Sequence, residues 1–253
     1  MVNDSIKKVL VIHYSQTGQL SRAARKLVAP LMNVEDVELV FEAVSPQRDY
    51  PFPWPFFQFL GTFPEAVYQD APPLKPSTLK GDEDFDLIVL AYQVWFLSPS
   101  LPITGFLQSA LAHKLFNGKP VVTLVACRNM WLMAQEDIRG MVATLGARIV
   151  GHIALVDEAG SIGSFLATPI WVLSGRKGPF LWGLIPRAGV SESDIAGCQN
   201  YGNRLLARLR EGALRANVFE GMQAAPVNEK LISSEKTGKR AFRAWGRLFR
   251  LLG

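Results

Sequence analysis

Residues 7–27 read KKVLVIHYSQTGQLSRAARKL. The run Val9-Leu10-Val11-Ile12 has the branched apolar character of a strand, and a helix follows at once near Leu20–Leu31. Between them lies a short polar turn with one glycine. In an open parallel sheet, such a turn places a helix N-terminus beyond the carboxyl end of the first strand, at the edge where ligands bind. Free N–H groups and the helix dipole attract an anion there. Ser15 and Thr17 offer hydroxyls, Gly18 lets the backbone approach closely, and Gln19 and Leu20 offer N–H groups, with Gln16 inside the same loop. The loop has no Lys and no GxxxxGK[ST] pattern, which argues against a nucleotide triphosphatase. GxGxxG is absent too, which disfavours a dinucleotide site. Two readings remain: a cradle for one phosphate held by neutral donors, or an ordinary turn closed by a Ser/Thr cap.

The rest of the chain repeats this unit. Apolar runs at Val37–Val44, Leu87–Ala91, Val121–Val125 and Arg148–Leu155 alternate with helices near Pro102–His113, Met133–Leu145 and Ser191–Arg210. Ser191 and Asp194 make an imperfect capping box for the last of these. The pattern predicts an α/β domain over 1–212 with a doubly wound, five-stranded parallel sheet. Two stretches interrupt it as insertions: about 45–80, with YPFPWPFFQFLGTFPEAVY, and 158–190, with GSFLATPIWVLSGRKGPFLWG. Residues 213–235 read as a linker and 236–253 as a basic amphipathic helix.

Two further turns end at the same sheet edge. Gln93-Val94-Trp95-Phe96 follows the third strand, and an aromatic there either stacks on a flat ligand or packs the turn. Cys127-Arg128-Asn129 follows the fourth, where amide and guanidinium either meet the polar rim of a heterocycle or cap a helix and sit on the surface. These three turns resemble those of flavodoxin-like proteins. SQTGQL (Ser15–Leu20) is similar to that family's Ser/Thr-x-Thr-Gly-x-Thr loop, with Leu20 in place of the last Thr and Ser21 one position beyond. AYQVWFLSPSLPITGFL is similar to the corresponding loop and helix of quinone-reductase-like members. The resemblance implies that Ser15–Leu20 cradle the phosphate of FMN, that Gln93–Phe96 flank its ring, and that Arg128 and Asn129, next to Cys127, address its rim. SQTGQL, ACRNMW, SGRKGPFLWG and FRAWG together also resemble the flavodoxin-like proteins labelled dialkylresorcinol condensing enzymes. Under that label Cys127 is either a nucleophile or an inert buried thiol.

Composition limits the alternatives. Of 253 residues, 49% are apolar, enough for a sizeable core. The net charge of +5 comes from the tail: residues 236–253 hold Lys236, Lys239, Arg240, Arg243, Arg247 and Arg250 and no acid, leaving 21 cations against 22 acids in residues 1–235. The body therefore has no nucleic-acid-binding character. Two cysteines without CxxC spacing and three scattered histidines, His13, His113 and His152, form no metal pattern and fit a cytoplasmic protein. No signal peptide and no spanning stretch are read. On a helical wheel the tail sets Lys239, Arg240, Arg243, Arg247 and Arg250 on one side and Phe242, Trp245, Leu248, Phe249 and Leu252 on the other. That pattern suits an anionic membrane surface at the inner face of the membrane, or docking on the body or on a partner. The aromatic insertion either walls an apolar substrate pocket or builds a homodimer interface, and Arg176 and Lys177 are candidate anion contacts. The expected function is an FMN-dependent oxidoreductase acting on an apolar, quinone-like or aromatic substrate. NAD(P)H or a redox partner would supply its electrons. The alternatives are a non-redox accessory protein and a Cys127-dependent condensing enzyme on the same scaffold.

Overall fold

A computed structural model describes residues 6–127, 129–156, 171–176 and 189–252. Five strands, β1 (Lys7–His13), β2 (Val37–Ala43), β3 (Leu87–Trp95), β5 (Pro120–Cys127) and β6 (Arg148–Val156), form a parallel sheet in the order β2-β1-β3-β5-β6. That order is the flavodoxin-like one, with its switch point between β1 and β3. The two-residue β4 (Ser98–Pro99) folds back antiparallel on the end of β3.

Alternation along the strands explains the two-sided core. Val9, Val11, Leu87, Val89 and Ala91 face one layer with helix α1 (Gln19–Met32) and helix α6 (Glu192–Arg210). Leu10, Ile12, Ile88, Leu90 and Tyr92 face the other. That layer holds α3 (Leu101–Leu107), α4 (Ala110–Phe116) and α5 (Leu132–Thr144). One helix was expected near Pro102–His113. Two form because the Ser109 hydroxyl accepts from the Ala112 N–H and starts a second one. Between α1 and α6 the contact is backbone-close: a Cβ on Gly202 would lie 1.9 Å from the Leu27 carbonyl oxygen.

The 45–80 stretch contains α2 (Phe56–Tyr68), so it is the crossover from β2 to β3. This helix packs on the C-terminal helix α7 (Glu229–Leu252). Residues 213–228 hold no helix or strand but are not a free spacer. Val218 N–H donates to Val150 O and Ala154 N–H to Ala224 O, with Val218 and Phe219 buried. Gly151 in β6 makes room, since a Cβ there would lie 2.6 Å from Val218 Cγ2. Helix α7 starts at Glu229, ahead of the expected 236, and runs along the carboxyl edge. It touches the α5 N-terminus through Glu235, Leu97 through Gly238, Phe63 and Phe96 through Phe242, and Tyr68 through Gly246. The 158–190 insertion lies largely outside the described residues, as do Arg128 and Lys177.

Candidate functional site

The turn between β1 and α1 is open at its helix end. Gly18 has φ +79°, the left-handed conformation glycine tolerates, and nothing among the described residues lies within 4 Å of where its Cβ would be. It occupies the N-cap position and no side chain caps the helix there. The first N–H groups of a helix have no partner inside it. The Ser15 hydroxyl is buried and has no hydrogen-bond partner among the described residues. Thr17 is half-buried beside it. Gln16 and Gln19 act as tethers. Gln16 N–H donates to Gln93 Oε1 (3.3 Å) and its amide to Tyr50 O and Pro51 O, while the Gln19 amide donates to Val190 O. The Leu20 side chain is fully buried in the core, so only its backbone is available at the turn. Ser21 does not replace the missing threonine: its hydroxyl lies 3.2 Å from His13 Nδ1. Burial, with Arg25 nearby, lowers the His13 pKa and keeps the ring neutral.

The β3 turn joins this one through Gln93, then divides its aromatics. Val94 and Trp95 pair with Pro99 and Ser98, and the two residues between, Phe96 and Leu97, have φ of 51° and 60°. Bulky residues rarely adopt this conformation, at a cost of order 1–3 kcal/mol each. Packing holds them. Phe96 lies against Phe59 (4.9 Å) and Phe63 (5.1 Å), and Leu97 is buried. Trp95 is edge-packed by Tyr50 (4.9 Å), Trp54 (5.2 Å) and Tyr14 (5.8 Å). Trp95 therefore stands beside the β1 turn, whereas Phe96 is turned away toward α2 and α7. Of the aromatic crossover residues, Tyr50, Trp54 and Phe63 face inward, while Phe56 and Phe57 are exposed.

The β5 turn reaches the same edge. Cys127 is half-buried, its thiol 3.8 Å from Leu155 O, and Asn129 is half-buried. Here the helix terminus is already filled. Glu235 of α7 accepts from Leu132 N–H (3.3 Å) and Met133 N–H (2.9 Å), so a carboxylate from the chain itself caps α5. Burial raises the Glu235 pKa against the pull of these N–H groups. Lys239 follows one turn later, paired with Asp137 and donating to Met133 O. Lys239 and Phe242, expected at a membrane, are therefore taken up by docking, because the edge of α7 that carries them is the one that meets the body. Arg250 is likewise paired with Asp70 and stacked over Tyr68 (3.8 Å).

A cavity of about 330 Å³ opens beside the β1 turn, on the β2 side. His13, Tyr14, Ser15, Gln16 and Ser21 form one wall, and Ser45, Asp49, Tyr50 and Lys75 the other. Burial keeps the Tyr50 phenol protonated, its pKa pushed up to about 12, and raises Tyr14 further. Tyr50 and Lys75 were not singled out from the sequence. They come from the crossover, far along the chain from the turn. Beneath the β3 and β5 ends runs a buried chain of hydrogen bonds. Tyr92 hydroxyl donates to Gln135 Oε1 (2.6 Å), the Gln135 amide to Thr123 Oγ1 (3.3 Å), and Thr123 Oγ1 lies 2.7 Å from His152 Nδ1. These groups hold β3, β5, β6 and α5 in register. Among the described residues no cluster of His, Cys, Asp and Glu could hold a metal.

No protein-family model matches this chain, and no curated protein matches it. Solved structures do. A flavoprotein in complex with FMN from Lactobacillus acidophilus has 18% identity, with 58% of this chain and 93% of that one covered, at a TM-score of 0.46. A flavodoxin from the domain Archaea has 14% identity, with 80% and 99% covered, at 0.44. A flavodoxin, WrbA-like protein from Agrobacterium tumefaciens has 11% identity, with 81% and 98% covered, at 0.41.

Proposed function

We propose that the chain binds FMN at the carboxyl edge of its sheet and works as a flavin-dependent oxidoreductase on an apolar, quinone-like or aromatic substrate. One contrast carries the proposal. The α5 N-terminus at this edge is filled by Glu235, whereas that of α1 has no side-chain cap among the described residues and adjoins an orphaned Ser15 hydroxyl and a glycine whose missing Cβ leaves open space. This donor set suits a phosphate monoester. Ser15, Thr17 and the backbone of Gly18–Leu20 would hold it. Gln93, Val94 and Trp95 would lie along one side of the ring, with Phe96 supporting the turn from behind. Cys127 and Asn129, with Arg128, would approach the rim. When bound, FMN supplies reversible one- or two-electron transfer, with NAD(P)H or a redox partner as donor. The chain's part is to position and exclude water. Trp95, Tyr50 and Trp54 form an aromatic wall beside the turn, and the protonated Tyr14 and Tyr50 phenols offer donors without adding charge.

A second reading has its own observation. With Leu20 in the core and Ser21 turned to His13, the cradle has one hydroxyl fewer than the flavodoxin-like pattern. That favours a scaffold that has kept the fold and lost the flavin; an accessory or dialkylresorcinol-type condensing role would be built on such a scaffold. Purified protein that is yellow, or takes up FMN to near one equivalent, supports the redox reading. A colourless protein that ignores added FMN supports the second. Within the second, a Cys127→Ser variant with unchanged activity removes the thiol from the chemistry.

A further inference from the structure

Helix α7 uses only one edge to hold the body. Glu235, Lys239, Phe242 and Gly246 face inward, and the Tyr68 hydroxyl donates to Arg243 O. What remains outside is uneven. Trp245 is 56% exposed, Leu248 43% and Leu251 78%, while Phe249, also partly exposed, packs edge-on against Phe63 (5.8 Å) beside the docked edge. Lys236, Arg240, Arg243 and Arg247 are also exposed and form no ion pair among the described residues. At about 100° per residue the four cations fill the arc between the docked edge and the apolar strip.

We infer that this outward face of α7 docks on an anionic lipid surface, whether or not the protein carries flavin. A strip of Trp and Leu left in water marks a binding surface. Charge selects the occupant. Four cations with no ion pair among the described residues lie along one side, and no acid follows Glu235 in the sequence. That one-sign edge matches anionic headgroups, while Trp245 and the leucines reach the acyl boundary. No helix among the described residues is long and apolar enough to cross a membrane, so α7 would lie flat. Its opposite edge stays fastened by Glu235 and by the Lys239–Asp137 and Arg250–Asp70 pairs.

The test is co-sedimentation of the full chain with phosphatidylcholine vesicles, alone or with ~30% phosphatidylglycerol, at low and high salt. Binding is expected only with the anionic lipid and is expected to fall with salt. Arg240→Glu/Arg243→Glu/Arg247→Glu should lower partitioning roughly a hundredfold or more. Trp245→Asp/Leu248→Asp should lower it roughly tenfold or more. All five positions are exposed, and circular dichroism checks that both variants stay folded. Equal sedimentation with neutral vesicles, no binding at low salt, or unchanged partitioning of either folded variant would overturn the inference. So would a concentration-dependent dimer that Trp245→Asp abolishes, which would make the face an interface between copies.

Discussion

The sharpest structural test is Gly202→Ala, one methyl between α1 and α6. In the present packing its Cβ would lie 1.9 Å from Leu27 O and 2.9 Å from Pro30 Cδ. A carbon meets a carbonyl oxygen comfortably no closer than about 3.2 Å, so the helices must part by about 1.3 Å. The obstacle is main chain and proline ring, with no flexible side-chain end to yield. Overpacking typically costs 1–3 kcal/mol, and a clash with backbone falls at or above the upper end, about 3 kcal/mol. For a chain of this size that lowers Tm by roughly 6–12 °C. Because α1 carries the open N-terminus, the shift should also weaken anion binding there. Urea and thermal unfolding, with wild type alongside, measure the first effect. A loss below about 0.5 kcal/mol would refute the close-contact account of α1 and α6.

Three further outcomes follow from single groups. The His152 pKa is lowered from 6.5 to about 4, first by burial and then by Arg139. Its contribution is therefore complete above pH 6.5 and lost as pH falls toward 4, up to about 3 kcal/mol; His152→Asn should flatten ΔG against pH in that window. Glu235→Gln keeps the shape of the α5 cap but removes its charge, and should cost about 1–2 kcal/mol in urea unfolding. A variant as stable as wild type would mean that burial of the carboxylate outweighs its bonds. Ser15→Ala deletes an unpartnered hydroxyl, so the free protein should keep its stability within about 0.5 kcal/mol while its FMN Kd rises about tenfold.

The legible part of this fold was the part written in local pattern. Val9–Ile12 and Leu87–Ala91 are nearly continuous apolar runs because both faces of their strands are covered. The turn at Ser15–Leu20 was readable because hydroxyls, a glycine and a helix start are adjacent in sequence. What escaped was carried by distant partners. Glu235 meets Leu132 and Met133 across more than a hundred residues, and nothing near it marks it as a cap. Lys239 looked like one more surface cation until Asp137 was placed beside it. Phe96 and Leu97 hold a backbone conformation that their residue types oppose, and only the aromatic crossover and α7 compensate for it. The division of the aromatic pair, Trp95 toward the β1 turn and Phe96 away from it, has the same origin.

The phosphate cradle itself is tested by titrating flavin-free protein with FMN and, separately, with riboflavin, which has the same ring and no phosphate. If the α1 terminus and Ser15 hold the phosphate, FMN should bind near one equivalent and riboflavin at least about a hundredfold more weakly. Equal affinity for the two, or no binding of either, would contradict the assignment.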